Sequence, residues 1–452
     1  MNVTVIGGGY VGLVTAACLA EAGHHVTVAE RDGEKVQAIR AARSYLHEPD
    51  LEPLLVRHAG GRLMATTDTA AAVAGAHVVL LCVPTPCQPS TGQIDLSYLK
   101  QAAREVGEAL QQSTEAYPVV VVKSTCVPGT TDAVVGPALE AAAGRTRGQD
   151  LGLGCNPEFL SEGSAVEDFS RPDRIVLGAD CQRTHAVLRE LYAAWADVPR
   201  FAVNNATAEA IKYASNALLA TCISFANEVA DVCQAAGGID AVDVMHGLHA
   251  SRYLDAGGAP AGIAAFLMPG CGYGGSCLPK DVAALTAFGK ERGLRMPLLS
   301  AVTRVNQERA RAMVDLLRTE TGSLAGRRVA VLGVAFKPGT ADCRNTLAEP
   351  LVQALVAAGA SVVCHDPAAW REARTLFGEI ADVAHYLAAA LDGATAAVIC
   401  TAWPQYQQVP DLLRAAGGMT VLLDGRRMLE ADAYERLLCV GCRPFTYEEV
   451  AV

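Results

Sequence analysis

Residues 1–32 read MNVTVIGGGYVGLVTAACLAEAGHHVTVAERD. The segment begins with a β-rich run, continues through a glycine-rich turn into an apolar helical pattern, and ends in a second β-rich run. The turn has G-x-G-x-x-G spacing at Gly7, Gly9 and Gly12. A strand before this spacing and a helix after it are typical of a dinucleotide-binding βαβ unit. The segment therefore predicts an α/β protein with a parallel sheet.

The individual residues of this turn favour a particular cofactor. Gly7 permits the tight turn, Gly9 lets backbone N–H groups approach a pyrophosphate, and Gly12 lets the helix pack on the strand. Glu30 ends the second β-rich run, where its carboxylate would bind ribose hydroxyls and repel a 2′-phosphate, so we predict NAD rather than NADP. Arg31 works against this preference, because a basic neighbour can accommodate a phosphate. An ordinary βαβ turn and a flavin site with the same spacing are the alternatives.

A second glycine-rich segment, residues 270–281, reads GCGYGGSCLPKD. Its glycines allow positive φ angles and a close approach to a ligand, so Cys277 is predicted to be presented rather than buried. Lys280 would favour the thiolate, and Asp281 could orient a water molecule or a proton donor. The alternative is a glycine turn with an incidental cysteine.

A nicotinamide site combined with a presented thiol narrows the chemistry. Hydride transfer alone needs no thiol, whereas a thiohemiacetal can lose a second hydride and leave a thioester for water to cleave. The pair indicates oxidation of an aldehyde, or four-electron oxidation of an alcohol.

Composition agrees with a cytoplasmic enzyme of about three domains. The chain has 452 residues, of which 51% are hydrophobic, and a net charge of −11 that argues against a nucleic-acid or anionic membrane partner. No apolar run approaches a membrane span. The fifteen cysteines are odd in number and irregularly spaced, as expected for reduced thiols. No metal site is predicted: the lone C-x-x-C at Cys439 and Cys442 is interpreted as structural, with metal or redox use as the alternative, and His246 and His249 lack partners.

Further apolar runs at residues 78–83 and 119–123 are predicted strands. Because ligands meet the carboxyl ends of parallel strands, Thr85, Ser124 and Thr125 are predicted to face the cofactor. The polar segment NPEFLSEGSAVEDF follows, with Glu158 and Glu162 one helical turn apart. Two solvated carboxylates are the alternative to a functional pair.

Residues 207–236 are predicted to form one long helix, which also offers a dimer surface. Lys212 and Asn216 would share one face of it. A second strand, turn, helix and strand pattern starts near Gly326 without the dinucleotide spacing. Lys337 and Arg344 in its first turn, and the DGRR at 424–427, suggest a different phosphate ligand, most simply a nucleotide.

Seven motifs in order resemble one family: GGGYVGL, KSTCVPGTT, NPEFLSEGSA, EAIKYASNA, GYGGSCLPKD, AFKPGTADCR and DGRR. The chain resembles the UDP-glucose/GDP-mannose dehydrogenases, which are nucleotide-sugar 6-dehydrogenases, over nearly its whole length. The resemblance implies two Rossmann-like, doubly wound parallel-sheet domains joined by a long central helix region. The implied parts are an NAD-binding domain (1–203), a central dimerisation domain with the cysteine loop (204–322) and a nucleotide-sugar-binding domain (323–452). It also implies a homodimer that oxidises a sugar C6 alcohol to the carboxylate with two NAD, through a thiohemiacetal and thioester on Cys277.

The resemblance assigns roles residue by residue. Besides Cys277, the implied catalytic residues are Lys212 and Asn216 for the C6 oxyanion, Asp281 with Thr125 for the hydrolytic water, and Glu158 as acid/base. Cofactor contacts implied beyond the three glycines are Tyr10, Val11, Glu30, Lys35, Thr85, Thr125, Glu162, Lys280 and Arg344. The implied substrate side consists of Glu158, Phe159, Leu160, Lys212, Asn216, Arg252, Gly274, Lys337 and Arg426.

Some positions depart from the family pattern. The stretch DAGGAPAGIAAF at 255–266 is longer than expected, Ala341 replaces a usual aspartate, and Ser161 stands where arginine is common. DGRR favours UDP-glucose, whereas the Ser251-Arg252-Tyr253 segment is similar to GDP-mannose enzymes. UDP-glucose is the favoured substrate, with UDP-N-acetylhexosamines and GDP-mannose as alternatives. A redox-inactive nucleotide-sugar-binding protein on the same scaffold is a further alternative.

Overall fold

The computed structural model describes residues 1–88 and 90–442. The chain divides into two compact units, Met1–Ser215 and Asn216–Val452, and each is described by itself. The three-part division predicted above stays a prediction.

The first unit is built on a β-sheet that has eight strands within the described residues, in the order β3-β2-β1-β4-β5-β6-β7-β8. All neighbouring strands are parallel except β6 and β7. The strands are β1 (Asn2–Ile6), β2 (His25–Ala29), β3 (Leu63–Thr66), β4 (Val78–Leu81), β5 (Val119–Val122), β6 (Gly152–Cys155), β7 (Ile175–Ala179) and β8 (Arg200–Val203).

Helices cover both faces of this sheet, and the valine-rich strands β4 and β5 are fully buried between them. The helices are α1 (Tyr10–Glu21), α2 (Gly33–Arg40), α3 (Leu51–His58), α4 (Thr69–Val73), α5 (Ser97–Leu110), α6 (Gly136–Ala143), α7 (Ala165–Ser170), α8 (Gln182–Leu191) and the start of α9 (Asn205–Ala236). A π-helical turn, Thr131–Val135, leads into α6, and a 3₁₀ turn covers Ala193–Trp195.

The second unit contains the rest of α9 and a parallel sheet, which has six strands in the described part of the chain, in the order β11-β10-β9-β12-β13-β14. The strands are β9 (Arg328–Leu332), β10 (Ser361–His365), β11 (Asp382–Ala384), β12 (Ala396–Ile399), β13 (Val421–Asp424) and β14 (Leu437–Cys439). The helices are α10 (Ala241–His249), α11 (Leu278–Glu291), α12 (Pro297–Thr321), α13 (Ala348–Ala357), α14 (Trp370–Phe377), α15 (Leu387–Leu391) and α16 (Val409–Ala415), with 3₁₀ turns at Gly262–Phe266 and Pro404–Gln408.

This architecture confirms the predicted fold class of two doubly wound sheets and a long central helix. In each sheet the strand order reverses beside the first strand, at β1/β4 and at β9/β12. Crevices at such switch points, outside the carboxyl ends of the strands, are where α/β sheets bind ligands. Most predicted site residues of the first unit follow these strand ends.

Candidate active site

The turn between β1 and α1 has the shape that a dinucleotide requires. Gly7 has φ +99°, and a Cβ there would lie 2.6 Å from the Cys82 carbonyl oxygen. A Cβ on Gly12 would lie 2.0 Å from the Gly7 carbonyl oxygen, so a side chain would separate helix from strand. Gly9 faces open space, and no side chain caps the first N–H groups of α1. The helix N-terminus can therefore receive a pyrophosphate.

Glu30 lies beside this turn, at the end of β2. Its carboxylate accepts the Gly8 N–H at 2.7 Å and the Asp32 N–H at 3.0 Å, and the residue is half-buried. Arg31, which was expected to weaken the NAD preference, forms an ion pair with Glu105 at 2.5 Å. Because the Glu105 carboxylate offsets the charge of Arg31, Arg31 favours a 2′-phosphate less than the sequence suggested. These residues fit NAD.

Other predicted cofactor residues surround the turn. The ammonium of Lys35 lies 5.7 Å from the centre of the Tyr45 ring, and the Tyr45 hydroxyl donates to the Gly8 carbonyl oxygen. Val11 is half-buried. The Tyr10 hydroxyl donates to Glu48, so the part of Tyr10 left to meet a pyrophosphate is its backbone.

Two loops follow β4 and β5 at the switch point of the first sheet. The Thr85 hydroxyl donates to the Thr125 carbonyl oxygen at 2.7 Å, and the Ser124 hydroxyl donates to the Val83 carbonyl oxygen at 2.7 Å. The structure thus brings together the three hydroxyl residues predicted to face the cofactor. Sequence reasoning missed Glu209, whose buried carboxylate accepts the N–H of Thr131 at 2.7 Å and so fixes the second loop to α9.

Glu158 and Lys212 form a buried ion pair in the first unit. Lys212 Nζ lies 3.2 Å from Glu158 Oε1, with side-chain exposures of 5% and 7%. Burial pushes the pKa of Glu158 up, but Lys212, the Leu160 N–H at 2.6 Å and the charge of Lys123 outweigh it and leave that pKa below its ordinary value. Glu158 is therefore an ionised carboxylate, and the solvated alternative is wrong for it.

Aromatic and polar neighbours extend this pair. The Phe159 ring centre lies 5.4 Å from Lys212 Nζ and 4.1 Å from the Arg174 guanidinium carbon. Lys123, which sequence reasoning did not single out, is buried and donates to Asn156 Oδ1 at 2.9 Å. Burial lowers the pKa of Lys123. The only sequence signal for Lys123 was its position at the end of a predicted strand. Leu160 and Glu162 are half-buried.

In the second unit, Cys277 is exposed and stands at the N-cap of α11, with Pro279 in the first helical turn. A helix N-terminus stabilises negative charge, which suits a thiolate. The Ser276 hydroxyl lies 3.5 Å from Cys277 Sγ. The prediction that the loop presents this cysteine is confirmed.

Asp281 anchors the polar groups next to the cysteine. It is fully buried, accepts from Asn216 Nδ2 at 2.6 Å through one oxygen, and forms an ion pair with Lys280 through the other. The structure thus joins three predicted site residues, Asn216, Lys280 and Asp281, in one network. Asp281 thereby fixes the amide orientation of Asn216.

Side chains pack closely against the backbone of the cysteine loop. Gly272 has φ +104°, and a Cβ there would lie 2.3 Å from Asn306 Oδ1; Gly275 has φ +85°, and a Cβ there would lie 2.7 Å from the Phe336 ring. The Asn306 amide accepts from the Tyr273 N–H at 2.8 Å and donates to the Tyr273 carbonyl oxygen at 2.9 Å. Asn306 is a further residue that the sequence did not reveal, since its partner is backbone.

The remaining predicted residues of the second unit differ in their partners and in their exposure. Arg426 donates to the carbonyl oxygens of Gly272, at 3.3 Å, and of Cys400, so it supports the cysteine loop. Lys337 is half-buried beside Phe336, Arg344 forms an exposed ion pair with Asp342, and Gly274 packs on the Asn345 carbonyl oxygen. Arg252 is exposed, and its contact with substrate stays a prediction.

Comparison with known proteins matches three consecutive family models. They describe the UDP-glucose/GDP-mannose dehydrogenase NAD-binding domain at residues 1–196, the central domain at 206–308 and the UDP-binding domain at 330–431. The chain belongs to the UDP-glucose/GDP-mannose dehydrogenase family.

Individual members of this family are similar over nearly their full length. UDP-glucose 6-dehydrogenase AglM of Haloferax volcanii is 41% identical, covering 97% of this chain and 100% of that protein. UDP-glucose 6-dehydrogenase of Pseudomonas aeruginosa is 38% identical, covering 95% and 94%. The structure of a UDP-glucose dehydrogenase from Pyrobaculum islandicum superposes with a TM-score of 0.88 at 37% identity, covering 97% of each chain.

The family membership gives the general chemistry. The chain is an NAD-dependent nucleotide-sugar 6-dehydrogenase, as the resemblance of the seven motifs implied. Across the described residues, none of the helices is both long and apolar enough to cross a bilayer.

Proposed function

We propose that the chain oxidises the C6 alcohol of UDP-glucose to the carboxylate of UDP-glucuronate, through a covalent intermediate on Cys277. The observation that carries the proposal is the exposed thiol of Cys277 at the N-cap of α11. A dehydrogenase that stops at the aldehyde has no use for such a thiol, whereas oxidation to the acid does.

The residues proposed for the pyrophosphate and ribose of NAD belong to the first unit. Gly7, Gly9 and Gly12 would hold the pyrophosphate at α1, and Glu30 would bind the ribose hydroxyls. When bound, NAD supplies a hydride acceptor. The open space above Gly9 and the uncapped N-terminus of α1 support this placement.

The first oxidation removes a hydride from C6 and a proton from its hydroxyl. In the proposal the ionised Glu158 takes this proton, directly or through water, while the Lys212 ammonium and Asn216 amide stabilise the negative charge that develops on the oxygen. Support comes from the ion pair that places Lys212 Nζ 3.2 Å from Glu158 Oε1 and from the Asp281 hydrogen bond that fixes the amide of Asn216.

The second oxidation is covalent. The Cys277 thiolate forms a C–S bond to the aldehyde carbon, and loss of a second hydride converts the thiohemiacetal to a thioester. Water, which the proposal assigns to Asp281 and Thr125, then forms a C–O bond to the thioester carbon as the C–S bond breaks. The thiolate and the sugar carboxylate are released, and the two protons of the water pass to solvent. Each sugar is therefore expected to give two NADH.

The substrate is tested by a panel of nucleotide sugars. UDP-glucose, a UDP-N-acetylhexosamine and GDP-mannose are each supplied with NAD, and NADH absorbance is followed. We expect the highest kcat/KM with UDP-glucose and two NADH for each UDP-glucuronate found by mass spectrometry. A higher kcat/KM with GDP-mannose would contradict the substrate assignment, and NADH formation with none of them would contradict the proposed function.

We further propose that the enzyme is a homodimer assembled through α9. Leu218, Phe225 and Val232 follow one another at intervals of seven residues on this helix and are 52%, 47% and 64% exposed. Residues seven apart share one helix face, so the three form an apolar stripe that a second copy would cover. Light scattering should give a dimer mass for the parent protein and a shift towards monomer for Phe225→Glu, with Val56→Glu, on an exposed face of α3, as control.

A further inference from the structure

Glu48 is a buried carboxylate to which the proposed chemistry assigns no role. The residue precedes α3 in the first unit and is 8% exposed. Its Oε2 accepts the Gly163 N–H at 2.7 Å and its Oε1 accepts the Val166 N–H at 3.3 Å. The Tyr10 hydroxyl donates to the same Oε2, and also accepts the Gly163 N–H at 2.9 Å. Both oxygens are thus used inside the protein.

The partners of Glu48 belong to two different parts of the first unit. Tyr10 is the first residue of α1 and follows Gly9 directly, so its backbone is part of the NAD turn. Gly163, in the loop after β6, and Val166, in α7, follow Glu158 and lie 115 and 118 residues from Glu48 along the chain. A single carboxylate therefore connects the cofactor turn to the loop that carries the ionised Glu158.

The Tyr10 side of this connection is expected to remain a hydrogen-bond donor. Burial, followed by the hydrogen bond to Glu48, raises the pKa of the Tyr10 phenol well above its ordinary value, so the phenol stays a neutral donor. Without the carboxylate, the N–H groups of Gly163 and Val166 would lose a charged acceptor in a buried place, which is costly. The loop would then relax away from Tyr10.

We propose that Glu48 is a positioning residue, which couples NAD binding at the start of α1 to the placement of Glu158 in the segment 156–166. Its contribution to turnover rests on the proposed role of Glu158, whereas its contribution to NAD binding does not. The coupling acts through the Tyr10 hydroxyl on one side and the Gly163 and Val166 amides on the other.

The test compares Glu48→Gln, Tyr10→Phe and the double variant in the full-length protein. The NAD Kd is measured by titration without sugar, and kcat is measured with saturating NAD and UDP-glucose. For Glu48→Gln we expect the Kd to rise about tenfold and kcat to fall about tenfold, the size of one lost hydrogen bond to a charged group. Tyr10→Phe should move both values in the same direction by a smaller factor. The double variant should resemble Glu48→Gln, since both residues serve one link.

Asp180→Asn is the matched control. The Asp180 carboxylate likewise accepts from backbone and from a hydroxyl, namely the Leu153 N–H at 3.3 Å and the Thr184 hydroxyl at 2.7 Å, but these partners belong to β6 and α8. It should leave the NAD Kd and kcat within about twofold of the parent values.

A purely structural Glu48 would lower the thermal midpoint while Kd and kcat stay at parent values, and that result would overturn the proposal. If Glu48→Gln does not fold, Tyr10→Phe decides, because it keeps the carboxylate and removes only the link to α1. Parent values for folded Tyr10→Phe would then reject the coupling. If no sugar gives turnover, the proposed function fails, but the NAD Kd values still accept or reject the link.

Discussion

The turns that follow the first strand of each sheet use the same device with different results. After β1, the Gly8 N–H donates to Glu30 at the end of β2, at 2.7 Å. After β9, the N–H groups of Val334 and Ala335 donate to Asp366, just beyond β10, at 2.7 and 2.9 Å. In both sheets an acidic residue at the end of the second strand fixes the backbone of the turn that follows the first strand.

The two acids differ in what else they touch. Glu30 is half-buried and accepts one further N–H, from Asp32, so its oxygens still have lone pairs for a ribose. Asp366 is 1% exposed and also accepts from the N–H groups of Ala368 and Ala369 and from the Trp403 indole. The same topological position therefore keeps free lone pairs for the proposed ligand in the first sheet and is used up by the fold in the second, and burial makes the difference.

Removal of the Cys277 thiol, in the second unit, gives the largest expected effect. Cys277→Ser should abolish turnover to the acid, because serine in the second unit cannot form the thioester, while NAD binding to the first unit stays at the parent Kd. Product analysis by mass spectrometry measures turnover to the acid, and an NAD titration measures cofactor binding separately. Acid production at the parent rate would reject the covalent mechanism.

Lys212→Ala should have the next largest effect. Its ammonium would meet an alcohol before reaction and a developing anion during it, so the loss should appear in kcat, by about 10² to 10³, with a modest change in sugar KM. Asn216→Ala should act in the same direction and non-additively, since both would serve one oxygen. Steady-state kinetics with near-parent kcat and a much larger KM would place Lys212 on ground-state binding instead.

The two acids themselves can be exchanged for amides. Asp366→Asn should reduce the free energy of unfolding by about 3 kcal/mol, because several buried N–H groups lose a charged acceptor, without changing the NAD Kd. Chemical denaturation and an NAD titration check this. Equal stability to the parent would mean that the second turn does not depend on its carboxylate.

Glu30→Gln should change the cofactor preference rather than the stability. Its free energy of unfolding should stay within about 1 kcal/mol of the parent value, the smallest change in this series. The parent enzyme should have a much higher kcat/KM with NAD than with NADP, and Glu30→Gln should lose roughly tenfold of that ratio as the repulsion of a 2′-phosphate disappears. Comparable values for both cofactors in the parent would mean that Arg31, despite its ion pair with Glu105, decides the preference.

Local patterns were predictable because they depend on neighbours in sequence. The strand, turn and helix around Gly7 to Gly12 lie where the glycine spacing predicted them, and Cys277 is exposed because its own loop requires it. Glu48 and Glu209 were missed because both accept backbone N–H groups that lie 78 to 118 residues away, and a backbone group leaves no signal in the sequence. The burial of Glu158 was equally hidden, since it depends on Lys212 arriving from a separate helix.

The exposure of Cys277 has a practical side. All fifteen cysteines lie in the described part of the chain, and Cys277 alone among them is exposed, while nine are buried and five are intermediate. Thiols of buried cysteines react slowly with electrophiles. A brief treatment with a mild alkylating reagent should therefore label mainly Cys277, and the moles of label bound per mole of chain would give the fraction of a purified batch that carries the free thiol required by the proposed mechanism.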